Sequence, residues 1–179
     1  LLALPGAVML TTTCILTPAL ADRIGQRRAL LTCHLAMACG LALLLLTGVT
    51  GGVGWFIAST VVAGLGYGIS FSLVADTAVG AVPVERAGAA GAIAETSNEV
   101  GNALGIALLG STATLVFRLR GPDVAPTLGE TLDAGAAGPV IDQARAAFVD
   151  GFHLAMALAA LLCAGLGTLA LRWLSRSGQ

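Results

Sequence analysis

Residues 29–75 read ALLTCHLAMACGLALLLLTGVTGGVGWFIASTVVAGLGYGISFSLVA, without one aspartate, glutamate, lysine or arginine. Wound as a single helix, this stretch would be roughly 70 Å long, against a bilayer hydrocarbon core of about 30 Å. It therefore divides. The cluster Gly48-Val49-Thr50-Gly51-Gly52 is the natural break, because glycine ends helices and accepts the backbone angles of a turn. Two crossings result, over about 29–49 and 53–75. Helices are required, because a backbone facing lipid must satisfy its own hydrogen bonds. A β-barrel would instead show alternating segments of about ten residues.

Outward from this core, three more stretches are long and apolar enough to cross, over about 1–21, 87–117 and 148–173. The expectation is an all-α integral membrane protein with five transmembrane helices, one unit over residues 1–179. Composition agrees: 56% of residues are hydrophobic and 11% charged, with a mean hydropathy of +0.90. Soluble domains carry about 25% charged residues. A net charge of −1 and the lack of a basic stripe exclude a nucleic-acid partner. Cys14, Cys33, Cys39 and Cys163 all sit in apolar runs without paired spacing, which favours packing over metal or disulfide chemistry. His34 and His153 stand alone near span ends, so no metal and no cofactor is expected. No hydrolase, nucleotide-binding or zinc-protease motif points to an enzyme. The chain opens on Leu1 within an apolar run and shows no leader pattern, so it is expected to continue a longer protein.

Arginine, the only basic residue type besides histidine, sets the orientation. Arg23, Arg27, Arg28, Arg86, Arg172 and Arg176 fall on one side of a five-span chain, and Arg118, Arg120 and Arg145 on the other. The positive-inside rule makes the first side cytoplasmic. The carboxyl terminus is then inside, and the long 118–149 connection, broken by Pro122, Pro126 and Pro139, is outside. Trp55 and Trp173 stand where interfacial anchors would.

Two places carry polar groups that a membrane protein does not place idly. The first is Asp22-Arg23-Ile24-Gly25-Gln26-Arg27-Arg28. Asp22 can engage Arg23, Arg27 or the positive end of a neighbouring helix, and Gly25 permits a tight turn. The cluster reads as a conformational gate formed by Asp22, Arg23, Gly25, Arg27 and Arg28, or as a plain topology signal. The second is Glu95, Asn98, Glu99 and Asn102 in the fourth span. At about 100° per residue, Glu95, Glu99 and Asn102 share an arc of roughly 60°, with Asn98 at its margin. A carboxylate within the bilayer is expensive enough to be a functional candidate, and one held out of bulk water can exchange a proton near neutral pH. The competing reading leaves Glu95 at the cytoplasmic interface beside Arg86. Gly64 and Gly68 in the third span, and Gly101 and Gly105 in the fourth, are spaced for close helix packing.

The stretch Pro18 to Arg28 resembles the G-x-x-x-D-R-x-G-R-R loop of the major facilitator superfamily, with Pro18 at the first glycine and Gln26 at a position often basic. Gly64-Leu-Gly-Tyr-Gly68, Val82-Pro-Val-Glu-Arg-Ala-Gly88 and the run from Glu95 to Gly105 are similar to the end of its fourteen-span drug:proton antiporters. The resemblance covers nearly the whole chain and aligns the core glutamate of that helix with Glu99. It implies five helices of a carboxyl-terminal bundle, a missing amino-terminal bundle, and proton-coupled efflux of small lipophilic or cationic compounds across the cell membrane. The expected partners are a small-molecule substrate, protons and the lipid bilayer. A metabolite symporter and a non-transporting truncated membrane protein remain as alternatives.

Overall fold

One residue, Gly25, separates the first two helices. The computed structural model describes residues 1–174, with side chains as far as residue 169. The elements are α1 (Leu4–Ile24), α2 (Gln26–Leu43, continued by a 3-10 turn Leu44–Leu46), α3 (Val53–Gly80), α4 (Ala87–Arg120, entered through a 3-10 turn Val84–Arg86), α5 (Leu128–Asp133) and α6 (Gly138–Leu174). No strand occurs among the described residues. All but α5 are long and apolar enough to cross a membrane. The chain is thus an all-helical membrane protein with five candidate spans.

Local chemistry explains the boundaries. Gly25 sits at φ 84° and ψ 146°, a region essentially closed to residues with a Cβ, so the chain turns there without a loop. Its N–H donates to Ala21 O and its carbonyl accepts from Ala29 N, at 2.8 and 3.1 Å. Gly51 and Gly52, both at positive φ, make the break between α2 and α3. The helix α3 runs past the expected residue 75 to Gly80, which places exposed Asp76 within it. The helix α6 begins at Gly138, well before the expected 148, with Pro139 in its first turn where a missing N–H costs nothing. Asp142, Arg145 and Asp150 therefore lie on a helix and not in a loop. Within the outer connection, Thr127 Oγ1 accepts from Glu130 N at 3.2 Å and caps α5.

Threonine hydroxyls in α1 turn back on their own helix. Thr11, Thr12, Thr13 and Thr17 donate to the carbonyls of Ala7, Val8, Met9 and Thr13 at 2.7–3.0 Å. Such bonds hide polar groups from lipid, and they lie just before Pro18, which cannot donate to the preceding turn.

Helix association in lipid relies on close van der Waals packing, not on hydrophobic drive. Here glycine supplies the closeness. A Cβ built on Gly64 would stand 2.6 Å from Gly6 O, and one on Gly68 2.6 Å from Leu10 O, so both glycines abut the backbone of α1. Between them Gly66 abuts α2, where its Cβ would lie 2.6 Å from Cys33 O. Gly40 meets Ala63 N at 2.6 Å in the same sense. The helix α3 is therefore wedged between α1 and α2, and the buried cluster Ala29, Cys33, Ile69 and Leu73 forms at the junction. The helix α4 packs chiefly on α6, through Gly151 against Ala113 and the cluster Phe117, Ala144 and Ala147. It touches α3 much less. Large apolar side chains such as Ile93, Ile106 and Leu161 point outward, as they should toward lipid.

Candidate functional site

Because α4 leans on α6 and only lightly on α3, a groove remains between α3 and α4. Its lining comes from Tyr67, Ser70, Phe71 and Val74 on α3 and from Ala94, Glu95 and Asn98 on α4, around a cavity of about 140 Å³. The helices are antiparallel across the short 81–83 turn, and the lined portion from Tyr67 to Val79 extends about 18 Å along α3. Glu95 is the one charged side chain in the lining. Among the described residues it forms no ion pair, and in particular none with Arg86.

The four polar residues of α4 separate. Exposed Glu95 and half-buried Asn98 line the groove, whereas Glu99 and Asn102, exposed as well, are absent from its lining. A Cβ on Gly101 or Gly105 would meet nothing within 4 Å, so neither packs against another helix among the described residues. Sequence reasoning missed Tyr67, Ser70, Phe71 and Val74 as lining residues. Their spacing of three and four along α3 was the available signal, but an apolar helix all round hides which stripe faces a cavity. Tyr67 and Phe71 stack, with ring centroids 6.3 Å apart and planes 25° apart.

At the cytoplasmic end in the orientation expected from arginine, Asp22 and Arg23 occupy the last turns of α1, and Arg27 and Arg28 the first turn of α2. All four are exposed, and Asp22 forms no ion pair with any of these arginines. The geometry brings the negative end of α1 and the positive end of α2 together at Gly25, which would hold Asp22 near the favourable end of α2. Gln26, which takes a usually basic place in the motif, donates from Nε2 to Thr77 Oγ1 at 2.7 Å and ties α2 to α3. Gln26→Ala is expected to cost about 1 kcal/mol, read as a lowered thermal unfolding midpoint.

The opposite end is held by other contacts. Arg120 Nη1 donates to Asp150 Oδ2 at 2.7 Å, and Gln143 Nε2 donates to Arg120 O at 3.3 Å. His153 Nε2 donates to Thr47 O at 2.8 Å at this end, whereas His34, expected near a span end, lies in the middle of α2 and bonds Leu30 O of its own helix at 2.8 Å. Trp55 is exposed in the first turn of α3. Arg176 lies outside the described residues, as do the side chains of Arg172 and Trp173.

Comparison with known proteins accords with this architecture. Residues 1–106 match the family model described as Major Facilitator Superfamily. The multidrug efflux pump LfrA of Mycolicibacterium smegmatis is 32% identical over 180 residues, covering 90% of this chain and 36% of that protein. The chain thus spans little more than a third of the curated relative it matches. No solved structure matches it. With five apolar helices, glycine-mediated packing and a family match over more than half its length, the chain belongs to the major facilitator superfamily.

Proposed function

We propose that the chain is the carboxyl-terminal part of a proton-coupled exporter of small lipophilic or cationic compounds, of the fourteen-span antiporter type. The observation that carries this reading is Glu95 in the apolar α3–α4 groove, with Glu99 one turn farther along the same helix. Glu99 carries the proton, Glu95 and Asn98 meet the substrate, and Asn102 continues the polar path. The relative described as a multidrug efflux pump supports the substrate class. Asp22, Arg23, Gly25, Arg27 and Arg28 act as the cytoplasmic gate, where a loopless turn lets small helix movements make and break charge contacts. Gly64 and Gly68 keep α1 and α3 rigid, and Gly101 and Gly105 face the amino-terminal bundle, which completes the cavity. The carboxyl terminus lies in the cytoplasm and the protein in the cell membrane.

The test is proton release on adding a lipophilic cation to the purified complete protein. Release should occur in the wild type and fall at least about tenfold in Glu99→Gln. Glu95→Gln should weaken substrate affinity more than it changes the protons released at saturation. Unchanged release in both variants would sink the coupling role. An imposed pH gradient that drives uptake with the proton would favour a symporter.

A further inference from the structure

A single hydrogen bond carries α6 onto the break between α2 and α3. Thr47 leaves the last 3-10 turn of α2 at φ −78° and ψ 136°, and its carbonyl is one of the acceptors that a helix end leaves unpaired. His153 Nε2 supplies the donor at 2.8 Å, from 106 residues along the chain. Among the described residues, no other hydrogen bond reaches the 47–52 turn from α4 or α6. A carbonyl oxygen only accepts, so Nε2 carries the hydrogen and the bare nitrogen of the neutral ring is Nδ1. Histidine is the side chain that ordinarily changes charge between about pH 5 and 8. A proton gained at Nδ1 leaves the Thr47 bond in place and makes it charge-assisted, roughly twice as strong.

The surroundings permit that charge. His153 is half-buried and shares an open cleft with exposed Arg120 and Asp150, so a proton can come from the medium and return to it. These two are the only other charged side chains in the cleft, and they pair with each other at 2.7 Å. Their opposite charges largely offset, and Asp150, three residues before His153 on α6, favours its cation. Arg118 belongs to another face of α4, with Gly110 and Thr114. Residues 29–75, which supply α2, the turn and most of α3, hold no aspartate, glutamate, lysine or arginine. His34, the one histidine of that stretch, packs against Gly167, about four turns farther along α6.

We propose that His153 is a proton-operated clamp, which tightens the hold of α6 on the α2–α3 break as the medium at this end of the bundle turns acidic. In the orientation proposed above, that medium is the outside. The clamp goes beyond the export reading and does not depend on it.

The experiment measures spin-label distances by double electron–electron resonance on the complete protein in lipid nanodiscs. Labels go at exposed Thr50, in the turn, and exposed Ala146, on α6, in a background stripped of native cysteines. Release of the turn appears as a second, longer distance. Its population relative to the short one should fall about fivefold from about pH 8 to about pH 5, as expected when a neutral bond becomes charge-assisted. His153→Gln keeps an N–H donor without a titrating ring, and should give one ratio at both pH values. His153→Phe has no donor, and should favour the longer distance at both. A ratio that does not move with pH in the unsubstituted protein overturns the proposal. So does a pH response that survives His153→Gln, which would assign it to the Arg120–Asp150 pair.

Discussion

Gly66→Leu should abolish the folded state of this bundle, at a cost of at least about 3 kcal/mol, the upper range for overpacking a filled interior. A Cβ there would stand 2.6 Å from Cys33 O, 2.6 Å from Met37 Cγ and 2.8 Å from Met37 N. The methionine end can swing away, but backbone carbonyl and amide atoms cannot. The helix α2 would have to leave α3, and with it the buried cluster around Cys33 and Ile69. Since α1 meets the same helix at Gly64 and Gly68, one displaced face disturbs the other. The measurement is the yield of monodisperse protein and its unfolding midpoint. Gly54→Ala is the internal control: its Cβ meets nothing within 4 Å, and alanine is favoured over glycine in helices by about 1 kcal/mol. Equal behaviour of the two variants would remove the packing argument.

Gly151→Val should separate α4 from α6, and so displace the side chains that line the groove. The added Cβ would lie 2.6 Å from Ala113 O and 3.2 Å from Ala113 Cα, again backbone that cannot yield. Its consequence differs from that of the first variant, because α1, α2 and α3 retain their mutual contacts. In the complete protein, the expected result is a variant that inserts and keeps its helix content yet loses the proposed export by more than about tenfold, since misplacement of a binding constellation by about 1 Å costs that much or more. Disulfide trapping between cysteines placed at 113 and 151 reports the contact directly. Efficient trapping in the unsubstituted protein, with full export in Gly151→Val, would refute the dependence of the groove on this contact.

Much of the fold was legible because lipid leaves the chain few choices. The uncharged run 29–75 had to break, and Gly51 and Gly52 supply the positive φ angles of that break. Helix ends beyond the apolar core were less legible. Residues 138–147 continue α6 although they carry Asp142 and Arg145, because helix propensity and a first-turn proline act where hydropathy is silent. The polar residues of α4 were visible as candidates through their cost in the membrane. Their division was not visible, since Glu95 and Glu99 differ by only about 40° around the helix and the position of α3 decides which one enters the groove. The glycines show the same limit. Gly64, Gly68, Gly101 and Gly105 look alike in sequence, yet among the described residues only the first pair abuts the backbone of another helix.

The helix α4 runs for 34 residues, about 51 Å, well beyond the roughly 30 Å of hydrocarbon it crosses. It works as a lever with unequal arms. The groove lies near its first turns, from Gly91 to Asn98, and the ion pair of Arg120 with Asp150 lies at its far end. A pivot near the groove through about 10° would sweep the Arg120 end by roughly 6 to 8 Å. Since that end is tied to α6 through Asp150, a fluorophore on the outer connection would register occupancy of the groove as a large excursion at the opposite end of the helix.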